Sequence, residues 1–175
     1  MNKVEFRNIT LSYGKNTVVK GFNLAVKDQE IIGIVGPSGC GPTCLAMAGY
    51  YLTGDPLMNP KEVAGFAQRS GYYEKGYGSS WTLISEGAGK LGLTARELPL
   101  VKKKMVDAVE AGHPVILAMG KGDFTTSGHY IVLTSWDGEA FSVNDPNSKV
   151  RSSQLWTYEQ LEKQIRNIWE ISVSV

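Results

Sequence analysis

Hydrophobic and polar residues alternate over residues 4–11 and 18–26, which predicts two half-buried strands around the turn Tyr13-Gly14-Lys15-Asn16. The unbroken apolar run Ile31-Ile32-Gly33-Ile34-Val35 suits a buried strand, and residues 36–39 read as loop. Pro42 fits the first position of a helix, where its missing N–H costs nothing. Residues 44–52 continue that helix until Thr53-Gly54-Asp55-Pro56 ends it. Asn59-Pro60 opens a second helix, to about residue 69, with Asn59 as its cap. The Gly- and Tyr-rich residues 71–80 read as exposed loop, and helical patterns follow at 81–91 and 102–111.

Then the period changes. Residues 114–119, 130–136, 139–144 and 168–173 read as strands, with Thr157-Tyr158-Glu159-Gln160 as a capping-box start for one more helix between the last two. Helices first and strands second predict an α+β domain, because nothing after the first third alternates strand with helix.

Composition mostly excludes. A length of 175 residues allows one compact core, and 42% apolar with 20% charged residues is ordinary for a globular chain. The formal net charge of +1 offers no electrostatic case for nucleic acid or an anionic membrane. Lys102-Lys103-Lys104 heads a helical pattern and reads as a solvated face. No apolar run approaches the ~20 residues of a membrane span. The N-terminus lacks the apolar core of a secretory signal, so the expected compartment is the cytoplasm. The 2 cysteines, Cys40 and Cys44, share one helix face. With 2 histidines in the chain, no zinc site is completed, and both cysteines are expected as free thiols.

The chemistry concentrates in Gly36-Pro37-Ser38-Gly39-Cys40-Gly41-Pro42-Thr43-Cys44, which supports two readings. From its left it is a phosphate loop with Pro42 where the lysine belongs. From its right it delivers Cys40 to a helix start, where the dipole and free N–H groups stabilise a thiolate.

The left-hand reading has a family resemblance. Val4-Glu5-Phe6-Arg7-Asn8-Ile9, Ser12-Tyr13-Gly14 and Gly33 to Gly41 resemble the opening of an ABC-transporter ATP-binding subunit, in which Tyr13 matches the aromatic that stacks on adenine. The resemblance stops at Gly41. Pro42 supplies neither the ammonium nor the backbone N–H that holds phosphate, and neither the metal-sharing aspartate strand nor the signature loop follows. Among the functional readings, an ATP-binding module is therefore the least favoured.

The right-hand reading covers more of the chain. Gly39 to Met47, Gly112-His113-Pro114-Val115-Ile116, Gly128-His129-Tyr130-Ile131-Val132-Leu133 and Val143-Asn144-Asp145-Pro146 follow in order. They resemble the papain-like cysteine peptidases of the bacteriocin-leader-processing (peptidase C thirty-nine-like) family. The resemblance implies a papain-like fold, with N-terminal helices packed on an antiparallel sheet, an ABC-ATPase-like segment at 1–36 and a peptidase domain at 37–175. It also implies a peptide or protein substrate, and Cys40 as nucleophile, His129 as base and Asp145 as the residue orienting it. No cofactor or metal is implied. Cys44 reads as core packing, His113 as capping or packing, and Asp145 has the alternative of a turn-forming residue before Pro146.

A register argument supports the pair. If Gly138 closes a three-residue bulged turn at Trp136-Asp137-Gly138, then Ser135 faces Glu139, Leu133 faces Phe141, Ile131 faces Val143 and His129 faces Asp145. A two-residue turn would separate His129 and Asp145 onto opposite faces. The oxyanion is less well provided for. Papain-like enzymes pair the nucleophile's N–H with a glutamine, and Gln29 is the nearby candidate. An active peptidase and a catalytically weak peptide-binding domain both remain open. Tyr72, Tyr73, Tyr77 and Trp81 are candidates for a peptide groove or for lid packing.

Overall fold

The computed structural model describes residues 2–13, 16–27, 39–74 and 78–173. The chain divides into two compact units, Met1–Ile34 and Val35–Val175.

In the first unit, β1 (Asn2–Tyr13) and β2 (Asn16–Lys27) form an antiparallel ribbon. Its pairing shifts between Phe6 and Ile9, where Asn8 adopts a φ of 49° and its N–H donates to Asn23 Oδ1 at 2.8 Å. Asparagine tolerates this left-handed conformation better than most residues. The strand expected at 31–35 lies outside the described residues.

The second unit begins with α1 (Cys40–Thr53), which ends on Gly54 at a φ of 67°. After it comes α2 (Pro60–Arg69), whose Asn59 cap accepts from the Glu62 N–H at 3.1 Å. Two short strands, β3 (Tyr73–Glu74) and β4 (Gly78–Ser79), pair within the segment read as loop. The single helix expected at 81–91 is a correction. A π-helical turn, Leu83–Gly87, runs into a short α3 (Ala88–Lys90). Gly87 and Gly89 weaken a regular helix there. A Cβ on Gly87 would sit 3.2 Å from Tyr72 and 3.3 Å from Leu83 and Phe66, so the bare backbone fills that gap.

The remaining elements are β5 (Leu93–Glu97), α4 (Lys102–Glu110), β6 (Val115–Met119), β7 (His129–Trp136), β8 (Phe141–Asn144), α5 (Lys149–Ser152), β9 (Leu155–Trp156), α6 (Tyr158–Leu161) and β10 (Ile165–Val173). The capping box at Thr157 and Gln160 is present. Six strands form one sheet in the order β5-β10-β6-β7-β8-β9, with every neighbouring pair antiparallel. Strand β5 escaped the sequence pattern because it lies at the sheet edge and buries only Leu93.

Both faces of the sheet are covered, which explains why β6 is apolar throughout. Ile116 and Ala118 join Val132 and Trp169 under Leu45, Val63, Leu83 and Ile84 of the first helices. Val115, Leu117 and Met119 join Ile131 and Leu133 under Met105 and Val109 of α4 and Leu161 of α6. Helices therefore pack on an antiparallel sheet, as expected. Among the described residues no helix is long and apolar enough to cross a membrane.

Candidate active site

Cys40 is the first residue of α1, not a loop residue ahead of it. Pro42 is correspondingly the third helical residue, a correction to its expected first position, and still within the turn whose N–H groups lack intrahelical acceptors. The first regular bond runs from the Thr43 N–H to the Gly39 carbonyl at 3.0 Å. That leaves the N–H groups of Cys40 and Gly41 with no carbonyl four residues back inside the helix. Cys44, one turn further, is fully buried in the core, and burial holds its thiol well above the usual range.

His129 opens β7, opposite Met119 at the end of β6. It lines a cleft of about 740 Å³ together with Cys40, Ser79, Trp81 and Tyr130. Its Nε2 lies 2.7 Å from Asp145 Oδ1, and the side chains of both residues are buried. The Cys40 thiol lines the same cleft and is the other group that favours the charged imidazole. With Nε2 on the carboxylate, Nδ1 is the nitrogen left for sulfur. Burial alone would depress the imidazole's pKa. The hydrogen bond to Asp145 and the neighbouring Asp145 and Cys40 charges outweigh it and raise the pKa to about 9.

The route by which His129 and Asp145 meet differs from the expected one. The hairpin pairs Trp136 with Phe141, Ser135 with Ser142, Leu133 with Val143 and Val132 with Asn144. Its tip is Gly138-Glu139, closed by the Asp137 N–H on the Ala140 carbonyl at 3.1 Å and tied by Asp137 Oδ1 to the Glu139 and Ala140 N–H groups. The expected three-residue turn and its pairs are therefore not formed. Gly138 does adopt positive φ, 106°. A tip of this kind would by itself put His129 and Asp145 on opposite faces. The register shift between Leu133 and Ser135 leaves Thr134 as an extra residue on β7 and restores their common face.

Asp145 is held from several sides. Burial raises its pKa, and bonds from His129, from Arg151 and from the Asn147 N–H overcome that and keep its carboxyl below the usual range. The Asn147 N–H donates to Oδ1 at 2.7 Å, Arg151 Nε donates to Oδ2, and Ser152 Oγ accepts from the Asp145 N–H at 2.9 Å. The turn-forming and histidine-binding readings of Asp145 thus coexist. Arg151 and Ser152 were missed in the sequence. They sit on α5, a single turn capped by Ser148, and only the cap was a legible signal.

The opposite wall depends on Gly41. A Cβ there would come within 2.9 Å of Ser79 Cβ and 3.5 Å of the Tyr130 ring. The Tyr130 hydroxyl donates to the Ser79 carbonyl at 3.2 Å, and burial, aided by Cys40 and Cys44, pushes its phenol well up. Of the aromatic candidates, Trp81 lines the cleft, Tyr72 packs in the core against Phe66, and Tyr73 pairs with Ser79. Tyr77 and Gln29 lie outside the described residues. His113 is not part of the cleft; its Nδ1 lies 2.6 Å from Glu170 Oε1. Among the described residues no cluster could hold a metal ion.

The Peptidase_C39 like family model matches residues 19–175. The peptidase domain of Streptococcus ComA, a bi-functional ABC transporter involved in a quorum sensing pathway, is similar with a TM-score of 0.59 at 20% identity, covering 82% of this chain and 97% of that one. A putative C39-like peptidase from Bacillus anthracis gives 0.51 at 17% identity over 85% and 96% of the two chains. At these identities the likeness shows the fold. The spermidine/putrescine import ATP-binding protein PotA of Aggregatibacter actinomycetemcomitans is 55% identical over 40 residues, 23% of this chain. The chain thus spans only 11% of that relative's length. This match accords with the ABC-like opening segment.

Proposed function

Because this chain belongs to the Peptidase_C39 like family, we propose that it is a cysteine peptidase in which Cys40 attacks, His129 moves the proton and Asp145 orients the imidazole. The observation that carries this reading is the buried His129–Asp145 pair lining the same cleft as the thiol that opens α1. The Cys40 sulfur bonds to the peptide carbonyl carbon, and the carbonyl electron pair moves onto oxygen. The Cys40 N–H is one donor for that oxyanion, and Gln29, the sequence candidate for a second, lies outside the described residues. As the C–N bond breaks, the His129 imidazolium gives its proton to the leaving amine. Water then attacks the thioester, His129 takes the water's proton, and the thiolate departs.

In this reading residues 37–175 are the peptidase domain and residues 1–36 an ATP-binding-subunit-like opening without its phosphate lysine. Peptide or protein is the substrate, and a reducing, cytoplasmic setting suits an enzyme that needs free thiols. Iodoacetamide at neutral pH should alkylate Cys40 well before the buried Cys44, and Cys40→Ala should abolish peptide cleavage. Equal labelling rates would remove the nucleophile. Peptide binding without cleavage would favour the peptide-binding domain instead.

A further inference from the structure

The cleft that holds Cys40 and His129 is lined by two exposed cations, Lys121 and Arg166, and by no carboxylate among its described residues. Several cations elsewhere are paired with carboxylates: Arg96 with Glu170, Lys102 with Glu159, Lys103 with Asp107 and Arg151 with Asp145. Among the described residues neither Lys121 nor Arg166 has such a partner. Arg166 is also held toward the cleft. Its side chain lies across Gly120, where a Cβ would come within 2.9 Å of the guanidinium carbon, so any larger residue at 120 would lift it away. Gly120 is fixed in turn by its N–H on the Gln164 carbonyl at 2.7 Å. In a chain of net charge +1 this is a local excess of one sign, and a cleft walled by protein focuses it.

We infer that this wall is a carboxylate subsite, so that the preferred peptide carries an Asp or Glu side chain among the few residues flanking the scissile bond. An extended peptide advances about 3.3 Å per residue, and only a short segment fits the cleft. The inference rests on the peptidase reading for its substrate, but the charge effect is measurable without turnover.

The first arm compares alkylation of Cys40 by iodoacetate and by iodoacetamide in the full chain. The ratio of the two rates should fall about tenfold at low ionic strength in the Lys121→Gln/Arg166→Gln variant, and the difference should shrink with salt. An unchanged ratio overturns the subsite whether or not peptides are cleaved. The second arm measures protection of Cys40 from iodoacetamide by capped pentapeptides with a central Asp or a central Asn. Stronger protection by the Asp peptide, lost in the double variant, supports the assignment. The central-Asn pentapeptide is also run with its C-terminus left free, and protection by that peptide alone would assign the subsite to a chain-end carboxylate and overturn the side-chain claim. A charge effect and Asp protection without any peptide hydrolysis would count against the peptidase reading alone.

Discussion

His129 Nε2 and Asp145 Oδ1 lie 2.7 Å apart although the two residues are not cross-strand partners. Extending the pairing past Val132 and Asn144 would set Asp145 opposite Ile131, two residues from His129. The contact is a diagonal one, which long side chains on one face can span.

Asp145→Asn should move the alkaline limb of kcat/KM to lower pH. The His129 imidazolium is maintained to about pH 9 against its own burial by Asp145 and Cys40. Removing the carboxylate charge makes the imidazolium easier to lose. The same raised value gives a stability term that is complete below the ordinary histidine pKa of about 6.5 and is lost as pH rises through about 9. Melting temperatures across that window should decline in the parent and stay flatter in the variant.

Arg151→Gln should move the same limb the other way. Its guanidinium now offsets part of the Asp145 charge that His129 experiences. Without it the ionised carboxylate holds the imidazolium more strongly. Loss of a charge-assisted bond to a buried carboxylate should also cost about 1–3 kcal/mol in denaturant unfolding. A fall in stability with no movement of the limb would make Arg151 purely structural.

Gly138→Val tests the turn apart from the site. Nothing lies within 4 Å of a Cβ there, so the φ of 106° is the whole obstacle. A strained residue of this kind costs about 1–3 kcal/mol. Chemical unfolding should show that loss. The rate of Cys40 alkylation should change little if the Thr134 bulge keeps the face of His129, and a large fall would mean that the turn sets the register.

Gly41→Ala should widen the cleft at Ser79, because the added methyl falls 2.9 Å from Ser79 Cβ. Overpacking costs about 1–3 kcal/mol. The expected outcome is a lower Tm together with a larger loss in kcat/KM, and an unchanged kcat/KM would show that Ser79 does not shape the site.

The sequence by itself determined the local features: the Asn59 and Thr157 caps, the period change after residue 112, Cys40 at a helix start and the strand that follows His129. Each depends on neighbours a few residues away, so a short window contains the cause. Its alternation of Ile131, Leu133, Phe141 and Val143 also implied that His129 and Asp145 share a face, because those side chains must all reach one core. Only the tertiary structure decided how. The tip at Gly138-Glu139 carries the wrong parity, and the Thr134 bulge corrects it, since burying the apolar face outweighs one unpaired strand residue. Arg151 reaches Asp145, and Arg166 lies across Gly120, through packing between elements that no periodicity records. The edge strand β5 was hidden for a related reason: with one buried residue, its existence depends on the backbone of β10 and hardly at all on its own side chains.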